Sequence, residues 1–567
     1  MRFDLDHDWQ GNMSTPRAKV GERAKTHLLL ILCAVWLLMG LIGHSPWKPY
    51  ESHTISTIKT ILDTGNFIAP TSASSSEIIN PPLYYLSAAI VAKILNPILP
   101  LHDAARITTG LWMIITLLMI GMTGRELWGK GFGRQTTFVF IGSLGLVLSA
   151  HTLMPAVSAL TGIATSFYAL ALAKRRPYRA SLLLAAGLSV GFLSTGMQSL
   201  TIILATCFVL PCLFSAWRSK SYASVIGLSL LLASPFLLGW PMLCHYLYPE
   251  ALSQWWVLSL KQFQNSNHLY YLRTLLWYSW PALPLAIWGL WRYRSQLASK
   301  PKFQLSMTFL VIAWLVIGMG GDREVFALPL LIPLTAMAGG SIETLKRGTA
   351  GALTWFGLIL FGLMSFLIWL GWFAMLTGSP AKIKERLIFL SGMQELNFSV
   401  IAFTIAAVVT FIWLFAILRS QHTNRSAATN WAIGMTAVWT LLMSLWLPMI
   451  DSARSYQTIF TSLKMALPTK FACMTSNGVG NAQRDLLHYF ANVKTLALET
   501  NGSLNCDMYL VQDDKSRAKV EPGADWKLIW GGKRVSERRE SFRLFQRINS
   551  PAAFCCLQTP AQLPATS

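Results

Sequence analysis

The sequence predicts a polytopic α-helical membrane protein with a small polar α/β domain at its C-terminal end. Three observations carry this. Of the 567 residues, 53% are hydrophobic and only 13% are charged, against about 25% charged in a soluble domain; the mean hydropathy is +0.45. Apolar runs of about twenty residues, enough to cross a hydrocarbon layer near 30 Å as helix, recur from residue 27 to residue 448. After residue 450 that pattern gives way to mixed polar and apolar sequence.

The net charge of +22, from 47 basic and 25 acidic residues, raises the question of a nucleic-acid partner. The cations answer it by their placement, because they cluster in short loops between apolar runs. Such loops lie in the cytoplasm by the positive-inside rule, and no nucleic-acid partner is inferred. They are Arg17/Lys19/Arg23/Lys25, Arg125/Lys130/Arg134, Lys174/Arg175/Arg176/Arg179, Arg218/Lys220, Arg292/Arg294/Lys300/Lys302, Lys346/Arg347 and Arg419/Arg425.

Between consecutive anchors the chain crosses an even number of times. The first interval holds three apolar runs, 27–43, 82–97 and 107–122, so one of them does not span. Segment 82–97 is the weak one: about 24 Å of helix, carrying Lys93 and bounded by Pro81, Pro82 and Pro97. It reads as an interfacial helix on the outer surface. Spans are then expected at about 27–43, 107–122, 134–150, 158–174, 180–194, 197–214, 222–240, 275–291, 304–319, 326–345, 351–375, 398–418 and 428–448. About thirteen crossings put the N-terminus inside and the tail outside. The chain divides into a basic cytoplasmic tail (1–26), a transmembrane domain (27–449) with a long external loop (44–106), and an external α/β domain (450–567). The first apolar run is long enough to span, so no cleavable leader is called for.

In the tail, FACMTS, CDMYLVQ, WKLIWGG and SFRLFQRI read as strands and AQRDLLHYFANV as a helix. Cys33, Cys207, Cys212 and Cys244 lie in or beside apolar runs and read as small hydrophobes. Cys473, Cys506, Cys555 and Cys556 lie in the polar part, without a CxxC–His set that would suggest zinc. A Cys473–Cys506 disulfide fits an external tail, although spacing does not decide the pairing.

Against this topology several stretches form a pattern. The first external loop runs PYESHTISTIKTILDTGNFIAP and is followed by Pro81-Pro82-Leu83-Tyr84-Tyr85; Ala104-Ala105-Arg106 opens the next span. Further on come PEALSQWWVLSLKQF, HLYYLRTLLWYSWPALPL and GDREVFALPLLIPL. In content and order these resemble the C superfamily of lipid-linked-sugar glycosyltransferases, in the branch of aminoarabinose lipid A transferases and protein mannosyltransferases. The resemblance is best over residues 25–350. It implies a bacterial inner-membrane enzyme, active on its periplasmic face, that moves a sugar from a polyprenyl-phosphate carrier to a lipid such as lipid A or to another envelope acceptor. In such enzymes an external carboxylate deprotonates or orients the acceptor, which attacks the anomeric carbon with inversion while basic residues hold the departing carrier phosphate.

The chain departs from the family's pattern at three chemical positions. The first-loop Asp-Glu reads Tyr50-Glu51, the acid expected after the third span's Pro is absent at Pro155-Ala156, and a Thr-Lys-Gly turn reads Ser194-Thr195-Gly196. These replacements open an alternative: a degenerate homologue that binds a lipid carrier or partners an active enzyme. A transporter is disfavoured because the spans are nearly free of charge.

Each candidate residue carries two readings. Glu51 is the general base or a solvated loop acid, and Trp47, Tyr50 and His53 nearby would desolvate it and raise its pKa. His53 backs it up as a base or metal ligand, or is structural or exposed, and Asp63, about three helical turns on, is functional or faces water. Arg106 binds carrier phosphate or snorkels to the interface. The motif tyrosines Tyr84 and Tyr85 are assigned to the substrate site through the resemblance. Lys261, His268, Tyr271 and Arg273, beside Tyr270, share in carrier binding or form an interfacial belt. Arg323 holds the carrier phosphate or pairs locally with Asp322 and Glu324. Asn80 stands where the family often has a basic residue, and Trp255 and Trp256 read as interface anchors. A second carboxylate would come from a distant loop, with Glu250, Asp322, Glu324 and Glu385 as candidates. A divalent metal has no clear ligand set, and no cofactor is assigned.

Overall fold

A computed structural model describes residues 22–264, 266–321, 323–419, 423–501, 506–514, 521–534, 536–537 and 540–548. Asp322, Cys555, Cys556 and most of the basic N-terminal tail lie outside the described residues.

Helix α1 (Glu22–Leu38) ends where Gly40 and Gly43 adopt φ of 89° and 94°, a region that glycine enters without strain. A Cβ on Gly40 would lie 2.8 Å from the Trp439 ring, so the chain leaves the bundle here by a route only glycine permits. The long loop that follows holds α2 (Tyr50–Thr64) and α3 (Leu83–Leu95). With 13 residues, α3 is about 20 Å long, well short of a span. Its buried side, including Tyr84, Tyr85, Ala88 and Ala92, packs with α2 and with α4 (Leu101–Trp128).

The bundle continues through α5 (Phe132–Ile141), α6 (Leu144–Ser149), α7 (Pro155–Leu172), α8 (Pro177–Thr195), α9 (Met197–Leu213), α10 (Lys220–Leu247) and α11 (Pro249–Lys261). Then come α12 (His268–Tyr278), α13 (Ala282–Arg292), α14 (Pro301–Gly318), α15 (Leu328–Ser341), α16 (Arg347–Thr377), α17 (Ala381–Ser391) and α18 (Val400–Arg419). Last, α19 (Asn424–Leu441) runs through a π turn into α20 (Leu447–Arg454). Proline opens α7, α8, α11 and α14, where a missing amide hydrogen costs nothing.

Among the described residues, nine helical runs are long and apolar enough to cross a membrane: α4, α7, α8, α10, α14, residues 324–344 around α15, α16, α18, and residues 424–454. The other predicted positions hold the shorter α1 and α9 and two broken pairs, α5–α6 and α12–α13. The first pair breaks where Trp431 Nε1 donates 2.9 Å to Gly142 O, taking a carbonyl from the helix ladder. The second breaks at Pro281, which has no amide to continue α12. Helices α7 and α8 approach closely because a Cβ on Gly162 would lie 2.5 Å from Gly191 N, the small-residue packing of membrane helices.

The C-terminal domain consists of α21 (Gln457–Ala466), β1 (Met474–Asn477), α22 (Asn481–Ala491), β2 (Thr495–Ala497), β3 (Met508–Asp514), β4 (Trp526–Lys533) and β5 (Glu540–Arg547). The sheet order is β2-β1-β3-β5-β4, with β1 parallel to β2 and β3, and β5 antiparallel to β3 and β4. Strand β2 has three residues, too few to leave a readable pattern. Phe460 and Leu463 of α21 pack with Leu486, Leu487, Met508, Leu510, Phe542 and Leu544.

Helix α22 of this domain lies against α2. Lys59 Nζ donates 2.9 Å to His488 O and 2.8 Å to Asn492 Oδ1, a cation at the negative end of α22. Lys48 Nζ donates 3.0 Å to Glu540 Oε1, and Tyr456 OH donates 2.6 Å to Glu540 Oε2.

Cys473 and Cys506 form a disulfide across 33 residues. A loop of that length constrains the unfolded chain by roughly 3–4 kcal/mol. The Cys473→Ser/Cys506→Ser pair is therefore expected to lower the melting temperature of this domain by several degrees; an unchanged melt under non-reducing conditions would contradict it.

Candidate active site

An acid lies beside a cation at the base of the long loop, and the partners of that pair are set by tertiary structure. Glu51 stands in the first turn of α2 and is 2% exposed; Arg106, in the first turns of α4, is 0% exposed. Arg106 Nε donates 2.8 Å to Glu51 Oε1, and Nη2 donates 3.1 Å to Oε2. The other acceptor positions of Glu51 receive Leu153 N at 3.0 Å and Trp47 N at 2.9 Å. Arg106 spends its remaining hydrogens on Asp103 Oδ1 (2.7 Å), His44 O (2.9 Å) and Ser45 O (3.0 Å). Five donors and four acceptor sites are thus all occupied, the full capacity of the two groups.

The electrostatics follow from this pairing. Burial pushes the Glu51 carboxyl up, but Arg106, then His44 and the hydrogen bonds from Arg106 and Leu153, outweigh it and hold the carboxyl at about 2. The rise expected from aromatic neighbours is overturned, because those neighbours desolvate the acid without supplying the dominant charge. The same loop is tied to α20: Asp451 Oδ1 accepts from Ser45 N at 3.0 Å, Ser45 Oγ at 2.6 Å and Trp47 Nε1 at 2.9 Å.

A polar cavity of about 330 Å³ lies beside this clamp. Its walls come from α2 (Tyr50, Ser52, His53), the following loop (Ser74, Ser75, Glu77, Asn80), α3 (Tyr85), the start of α7 (Met154, Pro155), Arg323, and α22 (Asn481, Ala482, Asp485). Asp485 is 1% exposed. It accepts from Ser74 N at 3.0 Å and faces His53 Nδ1 at 3.5 Å. The exposed Arg323 lines the same space and acts electrostatically on Tyr50, whose phenol burial pushes up and Arg323 pulls down. The cavity therefore presents an imidazole backed by a carboxylate and a guanidinium within one chamber.

Of the residues singled out from sequence, Tyr85 and Arg323 line this cavity. Glu51 lines a separate space of about 90 Å³ with His44, Trp47 and Arg454. Tyr84 is buried, with its hydroxyl 2.7 Å from Thr109 Oγ1. Tyr271 is also buried, and its OH donates 2.5 Å to Gly321 O, holding the turn that carries Arg323. His268 packs on Trp314 with ring centroids 5.1 Å apart. Lys261 and Arg273 are exposed on α11 and α12 and are not among the residues lining the cavity. Trp255, expected at an interface, is 1% exposed in a cluster with Phe192 and Trp240; neighbouring aromatics and the close approach of Gly196 bury it instead.

The distant acids Glu250, Glu324 and Glu385 are exposed and do not line the cavity. Asp485 and Glu77 do. Asp485 lies on the buried side of a tail helix with Gln483, Leu486, Leu487, His488 and Ala491, a mixed polar and apolar face that gave no sequence signal of a site. Among the described residues, no group of three or more His, Cys, Asp or Glu side chains is arranged to hold a metal ion.

A bundle of helices long and apolar enough to cross a membrane, a polar chamber at one end and a small α/β domain closing over it make up the fold of a multi-pass membrane protein. No family model matches the chain. Over 349 residues the chain is 24% identical to the undecaprenyl phosphate-alpha-4-amino-4-deoxy-L-arabinose arabinosyl transferase of Pseudomonas savastanoi pv. phaseolicola, a match covering 59% of this chain and 64% of that protein. The chain thus spans a little under two thirds of this curated relative's length. The crystal structures of ArnT from Cupriavidus metallidurans, in the apo state and bound to undecaprenyl phosphate, are similar at a TM-score of 0.65, with 12% and 11% identity, over 92% of this chain and 98% of theirs. Together the sequence match and the fold place the chain in the GT-C glycosyltransferase superfamily.

Proposed function

We propose that the protein is an integral-membrane glycosyltransferase that moves a sugar from a polyprenyl-phosphate carrier, of the undecaprenyl type, to lipid A or another lipid or glycan acceptor. In this reading it crosses the bacterial inner membrane thirteen times, with its N-terminus in the cytoplasm and the cavity and tail domain on the periplasmic face. The Cys473–Cys506 disulfide supports an oxidising compartment for the tail. The observation that carries the reading is the chamber in which His53, backed by Asp485, shares a wall with Arg323.

The chemistry assigns one task to each group. The acceptor oxygen attacks the anomeric carbon as the bond to the carrier phosphate breaks, and the electron pair leaves with the phosphate. Arg323 meets that developing charge. The acceptor's proton passes to His53 through the nitrogen turned away from Asp485, whose carboxylate steadies the imidazolium that forms. Glu51 and Arg106, with every donor and acceptor site filled, hold the loop that carries His53. Tyr85 and Asn80, joined by a 3.4 Å hydrogen bond from Asn80 Nδ2 to Tyr85 OH, border the sugar.

The test is transfer by the purified protein in lipid nanodiscs, from radiolabelled carrier-linked sugars to lipid A and other envelope acceptors. Label is expected in an acceptor. Arg323→Gln is expected to raise KM for the carrier about 10–100-fold, the value of a hydrogen bond to a charged group. A second reading, carrier binding without turnover, is favoured by Tyr50 and Ala156 standing where acids belong in the family pattern. Carrier adducts in native mass spectra with no transfer to any acceptor would decide for it.

A further inference from the structure

Arg125, near the other end of α4, is 19 residues from Arg106, or about 28 Å along the helix. There a second cavity of about 900 Å³ opens between α1, α4 and α5. Its walls are hydrocarbon, chiefly Leu29, Cys33 and Leu37 of α1 and Ile114, Leu117 and Leu118 of α4. One end is basic, formed by Arg125, Lys130 and Arg134. Between Ile114 and Arg125 the groove follows α4 for about 16 Å. Among the described residues, no acidic side chain lines it. Glu126 and Glu343 are engaged by Arg175 and Arg425, and Arg125 and Lys130 are both exposed. An apolar trough ending in a cluster of cations is complementary to one kind of molecule, a lipid with a negatively charged head.

We propose that this groove binds an anionic glycerophospholipid, with its phosphate on Arg125, Lys130 and Arg134 and an acyl chain along α1 and α4. The position favours that occupant. The cluster belongs to the basic loops that the positive-inside rule assigns to the cytoplasmic leaflet, where anionic phospholipids are drawn to juxtamembrane cations. The site is remote from the polar chamber, and the proposal does not depend on the transfer reaction.

Native mass spectrometry of the full-length protein, titrated with phosphatidylglycerol or phosphatidylethanolamine of matched chains, tests it. The wild type is expected to retain phosphatidylglycerol at least tenfold more strongly. The exposed single variant Lys130→Gln should weaken that retention about fivefold, the share of one basic residue near a lipid surface, and Arg125→Gln/Lys130→Gln/Arg134→Gln should abolish the preference. Leu118→Trp, which fills the trough and leaves the cations, should reduce retention of both lipids. Equal retention of the two lipids by the wild type, or an undiminished preference in Lys130→Gln, would overturn the proposal. So would preferential retention of a polyprenyl phosphate over phosphatidylglycerol at the same residues.

Discussion

Replacing Glu51 with glutamine is expected to destabilise the protein by roughly 3 kcal/mol, and replacing Arg106 with glutamine by roughly 5 kcal/mol, the range for removing one partner of a buried ion pair. The order follows from the contacts. Without Glu51, the guanidinium keeps Asp103; without Arg106, both Glu51 and Asp103 are left buried and unpaired. The double variant Glu51→Gln/Arg106→Gln is expected to cost less than the sum, because Glu51 is then no longer a stranded charge and only Asp103 is left without its guanidinium. Thermal melts in detergent would measure all three, with the exposed Asp63→Asn as a control expected to melt like the wild type. The folded-state value of about 2 for Glu51 lies below the ordinary 4.5. Its stabilisation is therefore fully present above pH 4.5 and is lost as pH falls toward 2. If Glu51 were instead the proton acceptor of the reaction, Glu51→Gln would remove turnover and leave the melt unchanged. That outcome would sink the clamp assignment.

The second large effect concerns the chamber. His53→Gln is expected to lower kcat by on the order of 10²-fold or more, the usual contribution of a positioned general base, with KM for the carrier and the melting temperature unchanged. Asp485→Asn is expected to lower kcat about tenfold at unchanged KM. The asparagine oxygen still accepts from Ser74 N, so the loop keeps its anchor, while the imidazolium loses its counter-charge. A merely structural Asp485 would show its loss in the melt and in KM instead. Full kcat in His53→Gln would exclude His53 as the base.

Much of the scaffold was legible because its causes are local. Apolar runs, basic loops and prolines appear in sequence where the helices, turns and helix starts appear in space. The strands at 474–477, 508–514, 526–533 and 540–547 and the helix at 481–491 fall where composition and alternation place them. The interfacial reading of 82–97 rested on its shortness, and α3 is 13 residues long. The candidate site was legible only in part. Tyr85 and Arg323 were visible as members of recurring motifs and do line the chamber. Lys261 and Arg273 looked equivalent to them in sequence, since exposure on a neighbouring helix and exposure into a cavity leave the same trace. Trp255 looked like a belt residue because nothing local shows that Trp240 and Phe192 close over it.

By itself the sequence determined the class of architecture, the place of the long loop within it, and the presence there of an acid followed by an arginine. Only the tertiary structure decided what those groups do. Glu51 meets Arg106 across 55 residues of sequence and Leu153 across 102, while His53 meets an aspartate of the tail domain. A carboxylate's affinity for protons depends on the charges and donors that reach it in space. The same short stretch of chain can therefore hold an acid locked in an ion pair and, two residues later, an imidazole turned toward an open chamber.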